Sequence, residues 1–376
     1  MKLMLQLQLL PSADQKADLL ATMGGFNAAA TFAAKVGFEA GVFGQVTLHR
    51  LAYYAIRERF GLSSQMAVRA IGKAVECFQR DKTKCPVFKP RSAVCYDQRV
   101  LSFKGLTEVS LWVMTGRLRI PFVCGAYQRE RQGRIKGQAD LVYRGGKFYL
   151  LRTIDLPESA PITPVDVIGV DLGIVQLATD SDGNSPSGEA VEKVRRKHHR
   201  NRKGLQSKGT KGAKKRLKAL AGREAHFRRH TNHCISKAIV TLAKGTDRGI
   251  AVEELGGIRD RTQFRKRDRA KHSGWAFAQL RAFLEYKAKL AGVFVVAVDP
   301  RNTSRTCSAC GHVAKANRKS QSSFACVQCG FSLNADLNAS RNLRVLGLGA
   351  CKRPSELAVV DSGWNPDEIS RKAAAL

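Results

Sequence analysis

Between Met1 and Leu10 apolar positions recur as Leu5, Leu7 and Leu9 around Gln6 and Gln8, a period of two that predicts a strand over 1–10. Pro11-Ser12 ends it, and from there to about Arg80 the period lengthens to that of helices. Leu51 to Phe78 shows this best, with Gly61-Leu62-Ser63-Ser64 predicting a break and a new N-cap. Short alternating runs return from about Val87 to Leu156, such as Val109-Ser110-Leu111-Trp112-Val113 and Arg117-Leu118-Arg119-Ile120. Tyr143-Arg144-Gly145-Gly146-Lys147-Phe148 predicts a hairpin turning on two glycines. This is the pattern of a β-rich domain of barrel or sandwich type, to which the first strand can belong with the helices as an insertion. Pro157, Pro161 and Pro164 mark a linker.

Beyond the linker, Val165 to Val170 predicts a buried, β-branched strand and Val175 to Thr179 a second short one. Further strands are expected at Gly249–Leu255 and Val293–Val298, and helices at about His230–Lys244, Ala276–Ala291 and Asp336–Leu346. Between Lys193 and Arg229 lie sixteen Lys and Arg and one acid, Glu224. Gly204, Gly209 and Gly212 predict that this segment forms two helices joined by a flexible loop. The final thirty residues predict weak order.

Charge changes the picture more than length does. The 376 residues carry 64 Lys and Arg against 31 Asp and Glu, a formal net charge of +33. Such an excess opposes compaction unless a polyanion neutralises it, and phosphates bind through counterion release. Nucleic acid is the expected partner. The hydrophobic fraction of 44% is ordinary for a chain with a buried core, and the length suggests two or three domains. No apolar run is long enough to cross a bilayer, and the interrupted first ten residues do not fit a signal peptide. Of ten cysteines, six (Cys77, Cys85, Cys95, Cys124, Cys234, Cys351) lack the spacing of a disulfide framework. These observations predict a cytoplasmic protein in a reducing compartment, with no membrane association.

The other four cysteines form Cys307-Ser-Ala-Cys310-Gly311 and, fifteen residues on, Cys326-Val-Gln-Cys329-Gly330. Each Cys-x-x-Cys turn offers two thiolates, and four complete a tetrahedral Zn²⁺ with no open position, so the metal is expected to be structural. Three acids form a second set. Asp171 ends the apolar strand Val167-Ile168-Gly169-Val170, Glu253 closes Ile250-Ala251-Val252, and Asp336 stands at the start of a helix. Singly, Asp171 could open a turn, Glu253 could be a salt-bridged edge residue and Asp336 an N-cap. Together, at one end of a sheet, they could hold two Mg²⁺ for in-line phosphodiester hydrolysis.

The ordered motifs Val-Ile-Gly-Val-Asp171-Leu-Gly, Val-Glu253-Glu254-Leu, Arg305-Thr-Cys-Ser-Ala-Cys-Gly-His, Cys-Val-Gln-Cys-Gly and Asn334-Ala-Asp336-Leu-Asn-Ala-Ser-Arg-Asn342-Leu resemble TnpB, covering about 165 to 346. TnpB proteins are transposon-encoded, RNA-guided DNA endonucleases related to type V CRISPR effectors and Fanzor proteins. The resemblance implies a multidomain α+β protein. Its RNase H-like (RuvC) α/β core would occupy 165–300 and 331–346, with a zinc ribbon inserted at 301–330. A barrel-like wedge domain would occupy 1–10 and 87–160 with a helical recognition insertion at 11–86, and 347–376 would be a disordered tail. It also implies a guide RNA and a target DNA as partners, Mg²⁺ or Mn²⁺ at a catalytic triad of Asp171, Glu253 and Asp336, and products with 3′-hydroxyl and 5′-phosphate ends. Prokaryotic, nucleoid-associated localisation follows from the same resemblance. The family's motif favours Glu253 over Glu254, since neighbouring side chains on a strand face opposite ways.

Two basic clusters are expected to follow nucleic-acid backbones: Arg195, Arg196, Lys197, Lys214, Lys215 and Arg216 in one, Arg265, Lys266 and Arg267 in the other. Two competing readings are a nuclease-inactive RNA-guided DNA-binding regulator and a transposase-associated DNA-binding protein. The intact acids oppose the first. Against the second, the chain shows no His-hydrophobic-His with a distant tyrosine nucleophile.

Overall fold

The computed structural model describes residues 1–132, 135–160, 164–173, 175–254 and 277–351. Two compact units divide the chain, Met1–Leu156 and Pro157–Leu376. The architecture is multidomain α+β.

In the first unit, β1 (Lys2–Leu9) leads into α1 (Ala13–Glu39), α2 (Gln45–Phe60) and α3 (Ser64–Phe78). Ser12 starts α1 with a capping box: its hydroxyl accepts the Gln15 N–H, and the Gln15 side chain accepts the Ser12 N–H. Gly61 ends α2 with φ of 61°, a left-handed conformation that costs glycine little. Ser63 stands at the N-cap of α3 but makes no side-chain capping bond. Strands β2 (Val94–Tyr96), β3 (Leu101–Lys104), β4 (Glu108–Val113) and β5 (Gly116–Val123) follow, then α4 (Ala126–Gln132), β6 (Ile135–Arg144) and β7 (Lys147–Asp155). They join β1 in one antiparallel sheet of order β2-β6-β7-β1-β5-β4-β3. β1 pairs with β7 along its whole length, from Lys2↔Asp155 to Leu9↔Phe148. The β6–β7 hairpin turns on Gly145 and Gly146 at φ of 57° and 84°, as a two-residue primed turn requires. One face of these strands (Leu5, Leu7, Leu9, Val109, Leu111, Leu150) merges with Leu19, Met23 and Phe26 of α1 into a single core.

The second unit holds a four-stranded sheet of order β11-β10-β8-β9, built from β8 (Val167–Asp171), β9 (Thr179–Asp180), β10 (Gly249–Glu253) and β11 (Val295–Val298). β8, β10 and β11 are parallel and β9 is antiparallel. Parallel strands are covered on both faces, which is why β8 and β10 are apolar without alternation. On one face Ile168, Val170, Ile250 and Val252 pack against α6 (Lys211–Gly245) and α7 (Phe277–Ala291). On the other, Val167, Ala251 and Val296 pack against α8 (Ala335–Cys351).

The basic segment forms two helices as expected, but with a tight joint in place of a loop and no separate third helix. α5 (Glu189–Lys208) ends at Gly209, φ 62°, and Thr210 then caps α6, its hydroxyl accepting the Ala213 N–H at 3.1 Å. α6 runs unbroken for 35 residues, so the helix expected at His230–Lys244 is its continuation. Gly204 and Gly212 lie within helices; a helical glycine costs only about 1 kcal/mol, and neighbouring turns absorb it. α8 reaches Cys351, so 347–351 are helical rather than part of a disordered tail, and 352–376 lie outside the described residues.

α8 lies unusually close to the sheet. A Cβ on Gly169 would sit 1.9 Å from the Ser340 carbonyl oxygen and 2.5 Å from the Arg344 nitrogen; one on Gly347 would sit 2.4 Å from the Ala251 Cβ. Backbone must therefore touch backbone at Gly169. Bidentate pairing of Arg344 with Asp166, at 2.9 and 2.7 Å, fixes the far end of the contact. Gly169→Ala is expected to destabilise the protein by about 3 kcal/mol or more, as overpacking against a rigid helix does. Gly349→Ala, with open space around it, should be neutral or stabilising by up to about 1 kcal/mol. Urea melts of both variants check this; equal stability would show that α8 can move away freely.

Candidate active site and metal centre

The strand period selects the acids. β8 and β10 run in register through Val170↔Val252, so Asp171 and Glu253 leave the sheet side by side. Asp171 shares the α8-facing parity of Val167 and Gly169, and Glu253 shares that of Ala251. α8 delivers Asp336 in its first turn, where the Asn334 side chain accepts the N–H groups of Asp336 and Leu337 at 2.9 and 3.2 Å. Glu254 has the opposite parity, and Arg281 of α7 holds it in a bidentate pair at 2.6 and 2.8 Å.

The three acids are poorly solvated, and Asp171 feels the other two. The Asp171 carboxyl is pushed up to about 8, first by burial, then by the Glu253 and Asp336 carboxylates. Burial also raises Glu253 and Asp336 above the usual carboxylate range. Hard oxygen donors in this state fit a divalent cation such as Mg²⁺ or Mn²⁺, which would restore the favourable charge that burial removes.

Two further residues, absent from the sequence reading, complete the cluster. The Arg318 guanidinium lies 3.8 Å from Asp336 and opposes the upward shift of all three acids. Thr303, buried in the loop after β11, donates its hydroxyl to Glu253 at 3.1 Å, an oxygen also within reach of the Pro300 carbonyl. Neither carries a signal in sequence: Arg318 is one basic residue among several in the cysteine-rich insert, and Thr303 is a loop threonine.

The four cysteine sulfurs all lie within 4.8 Å of one another, the one such group among the described residues; the carboxylates are not drawn into a cage of that kind. The two knuckles repeat each other. Gly311 donates to the Cys307 carbonyl at 2.8 Å and Gly330 to the Cys326 carbonyl at 3.0 Å, with φ of 77° and 75°. The N–H groups of Cys329 and Gln328 pull the Cys326 thiol down to about 6. Neighbouring thiols push Cys310 the other way, up to about 12, so the support for a structural Zn²⁺ is the convergence of four sulfurs. β12 (Ser323–Ala325) and β13 (Ser332–Asn334) form the hairpin that carries the second knuckle into α8. Asn338 and Asn342, one turn apart on α8, hold the first knuckle: Asn338 bonds Ser308 N–H and Thr306 O, and Asn342 donates to Thr303 O and Thr306 O at 2.8 and 2.7 Å. The knuckles and the acids thus share one helix.

Of the basic residues singled out in sequence, Arg196, Lys197, Lys214, Lys215 and Arg216 are exposed on α5 and α6. Arg195 is half-buried and engaged by Glu192 at 2.6 and 2.8 Å. Glu224, the lone acid of the segment, ties the two helices together by accepting from Arg202 at 2.6 Å. Arg265, Lys266 and Arg267 lie outside the described residues. No helix among the described residues is long and apolar enough to cross a membrane.

Residues 152–256 match the OrfB_IS605 family, described as "Probable transposase", and 277–343 match "Cas12f1-like, TNB domain". The chain is 32% identical to the CRISPR-associated endodeoxyribonuclease Cas12f1 of Sulfoacidibacillus thermotolerans, over 54% of this chain and 51% of that protein. It is 29% identical to the RNA-guided DNA endonuclease candidate InsQ of Escherichia coli, over 75% of this chain and 73% of that one. The chain therefore spans about half the length of the Cas12f1 relative it matches and more of InsQ. A solved Cas12f1–sgRNA–target DNA complex shares the fold, with a TM-score of 0.58 at 15% identity, covering 88% of this chain and 81% of that one. With both family models matched in order along its second half and the fold of the Cas12f1 complex over 88% of its length, the chain is similar to the TnpB-like and Cas12f proteins.

Proposed function

We propose that this chain is an RNA-guided DNA endonuclease that hydrolyses phosphodiester bonds at Asp171, Glu253 and Asp336. The observation that carries this reading is the meeting of three acids from β8, β10 and α8 in a place where none is well solvated. In this reading the four-stranded sheet with α6, α7 and α8 is an RNase H-like (RuvC) core and 301–330 is its zinc ribbon. The seven-stranded sheet is a wedge domain, and α1–α3 are its recognition insertion. Guidance by RNA and cutting of DNA are supported by the names of the relatives and by the +33 charge, which suits a protein that holds two polyanions.

Asp171, Glu253 and Asp336 would hold divalent ions, which supply Lewis acidity for water attack on the scissile phosphate. The chain's own residues set the stage. β8 and β10 fix two carboxylates side by side at one end of the sheet, and Thr303 orients Glu253. Arg318 brings positive charge to the same place and lowers the repulsion between the carboxylates and an incoming phosphate. Lys197, Lys214, Lys215 and Arg216 contact backbone without reading sequence, as would Arg196 and Arg195. Arg265, Lys266 and Arg267 are assigned the same role from sequence alone.

Three outcomes are expected. Asp171→Ala should cut plasmid DNA matched to the copurifying RNA at least about a hundredfold more slowly than the parent in Mg²⁺; equal cutting would remove the proposed active site. A carboxyl raised from 3.8 to about 8 contributes stability that is complete below pH 4 and lost as pH rises toward 8. Metal-free Asp171→Asn should therefore melt above the parent at pH 8, by an amount that shrinks toward pH 4, and a pH-independent difference would contradict the shift. Finally, Cys326→Ser should lose zinc, read by atomic emission, and unfold the 301–330 region; full zinc content would refute a four-sulfur site.

A further inference from the structure

In the first unit one buried arginine has no ion-pair partner among the described residues. Arg152 of β7 pairs across with Leu5 of β1 and Ala139 of β6, and its own strand neighbours on that face are Leu150 and Ile154. Cross-strand partners share a face, so Arg152 points into the apolar side of the sheet, and it is only 7% exposed. Its Nε is buried with no acceptor, and no carboxylate or carbonyl among the described residues bonds the guanidinium. Its guanidinium carbon lies 4.2 Å from the centroid of the Phe103 ring, itself held edge-on by Phe122 at 5.7 Å.

Burial lowers Arg152 to about 10, so it remains charged at neutral pH. A buried N–H without an acceptor is a cost that folded proteins normally avoid, whereas the two terminal nitrogens of Arg152 are not among the buried atoms left without a partner. Lys73 of α3 shows the contrast. It too is drawn inward, but Asn27 accepts from it at 2.6 Å, the Ala93 carbonyl accepts as well, and Phe88 lies against it. Beside Arg152 the sheet is also irregular. Ile135 pairs with Ile154 and Ala139 with Arg152, so four residues of β6 span two of β7 and the ladder is broken at this point. Such bulges open a sheet locally and re-aim what lies next to them. A guanidinium with one face on an aromatic ring keeps its N–H edge for a planar pair of acceptors, the geometry that suits phosphate.

We propose that Arg152 is a phosphate-binding residue, and that its terminal nitrogens take a backbone phosphate of the polynucleotide this chain carries, with Phe103 as backing. This rests on the reading of the chain as a nucleic-acid-binding protein but not on its catalytic acids.

The test uses the full chain, freed of nucleic acid at high salt, as parent, Arg152→Met and Arg152→Lys. Three probes are titrated: a mixed-sequence single-stranded RNA of about 20 nucleotides, a DNA duplex of the same length, and inorganic phosphate. For whichever polymer uses the site, Arg152→Met should bind at least about threefold more weakly at low salt. Its slope of log affinity against log salt should be shallower by about 0.7–0.9, one contact's worth, with Arg152→Lys recovering the slope. Ligand-free Arg152→Met should melt at or above the parent, because a buried N–H without an acceptor has been removed.

Unchanged slopes with both polymers in a well-folded Arg152→Met would overturn the proposal while leaving the nuclease reading intact. A lower ligand-free melting point would overturn it in favour of a role in folding. Protection by inorganic phosphate that is lost in the variant, with polymer slopes unchanged, would overturn the polynucleotide source. Failure of the parent to bind either polymer would defeat both this proposal and the function it rests on.

Discussion

Repulsion between carboxylates that the fold will not let apart is the constraint around which the second unit is arranged. Asp171, Glu253 and Asp336 come from separate elements, and each has its charged form disfavoured by burial. A chain free to relax would turn these side chains to water. Here two of them are fixed by parallel register and the third by a helix whose backbone rests on Gly169, so relaxation would require the sheet or α8 to shift. The resulting strain is relieved in part by Arg318 and Thr303, and more fully by a cation.

The other features of the unit follow from keeping α8 in place. Gly169 and Gly347 let it approach, the Arg344–Asp166 pair pins its far end, and Asn338 and Asn342 bind it to the loop that opens the first cysteine knuckle. The cysteine cluster thus does more than stabilise a local hairpin. It anchors the segment that carries Arg318 and is continuous, through β13, with the helix that carries Asp336. A zinc ion held there would, in the proposed reading, steady the acids through this chain of contacts.

Much of this unit was legible in the sequence because its signals are local. A carboxylate closing an all-apolar run, two Cys-x-x-Cys-Gly turns, and an Asn-Ala-Asp helix start each announce themselves within a few residues. The choice of Glu253 over Glu254 rests on the strand period and the motif, and in the structure Glu254 is paired with Arg281. What stayed hidden depends on distant partners. Nothing near Arg318 marks it as facing Asp336, and nothing near Thr303 marks it as a donor to Glu253. Arg152 sits at an inward position of a regular alternation, but a single charge in a strand does not by itself distinguish a bulge, an edge or a site. The glycines of the basic segment misled in the opposite direction: three suggested breaks, and only Gly209 takes a left-handed conformation that ends a helix.

The most direct measurement of the central claim is calorimetric titration of Mn²⁺ into the full chain at pH 7, repeated in buffers of different ionisation enthalpy. With Asp171 near 8, the metal-free cluster holds a proton that a bound cation must displace. Saturable binding that releases about one proton at pH 7, and progressively less above pH 8, is the predicted result. Absence of saturable binding, or binding with no proton release at pH 7, would contradict the account.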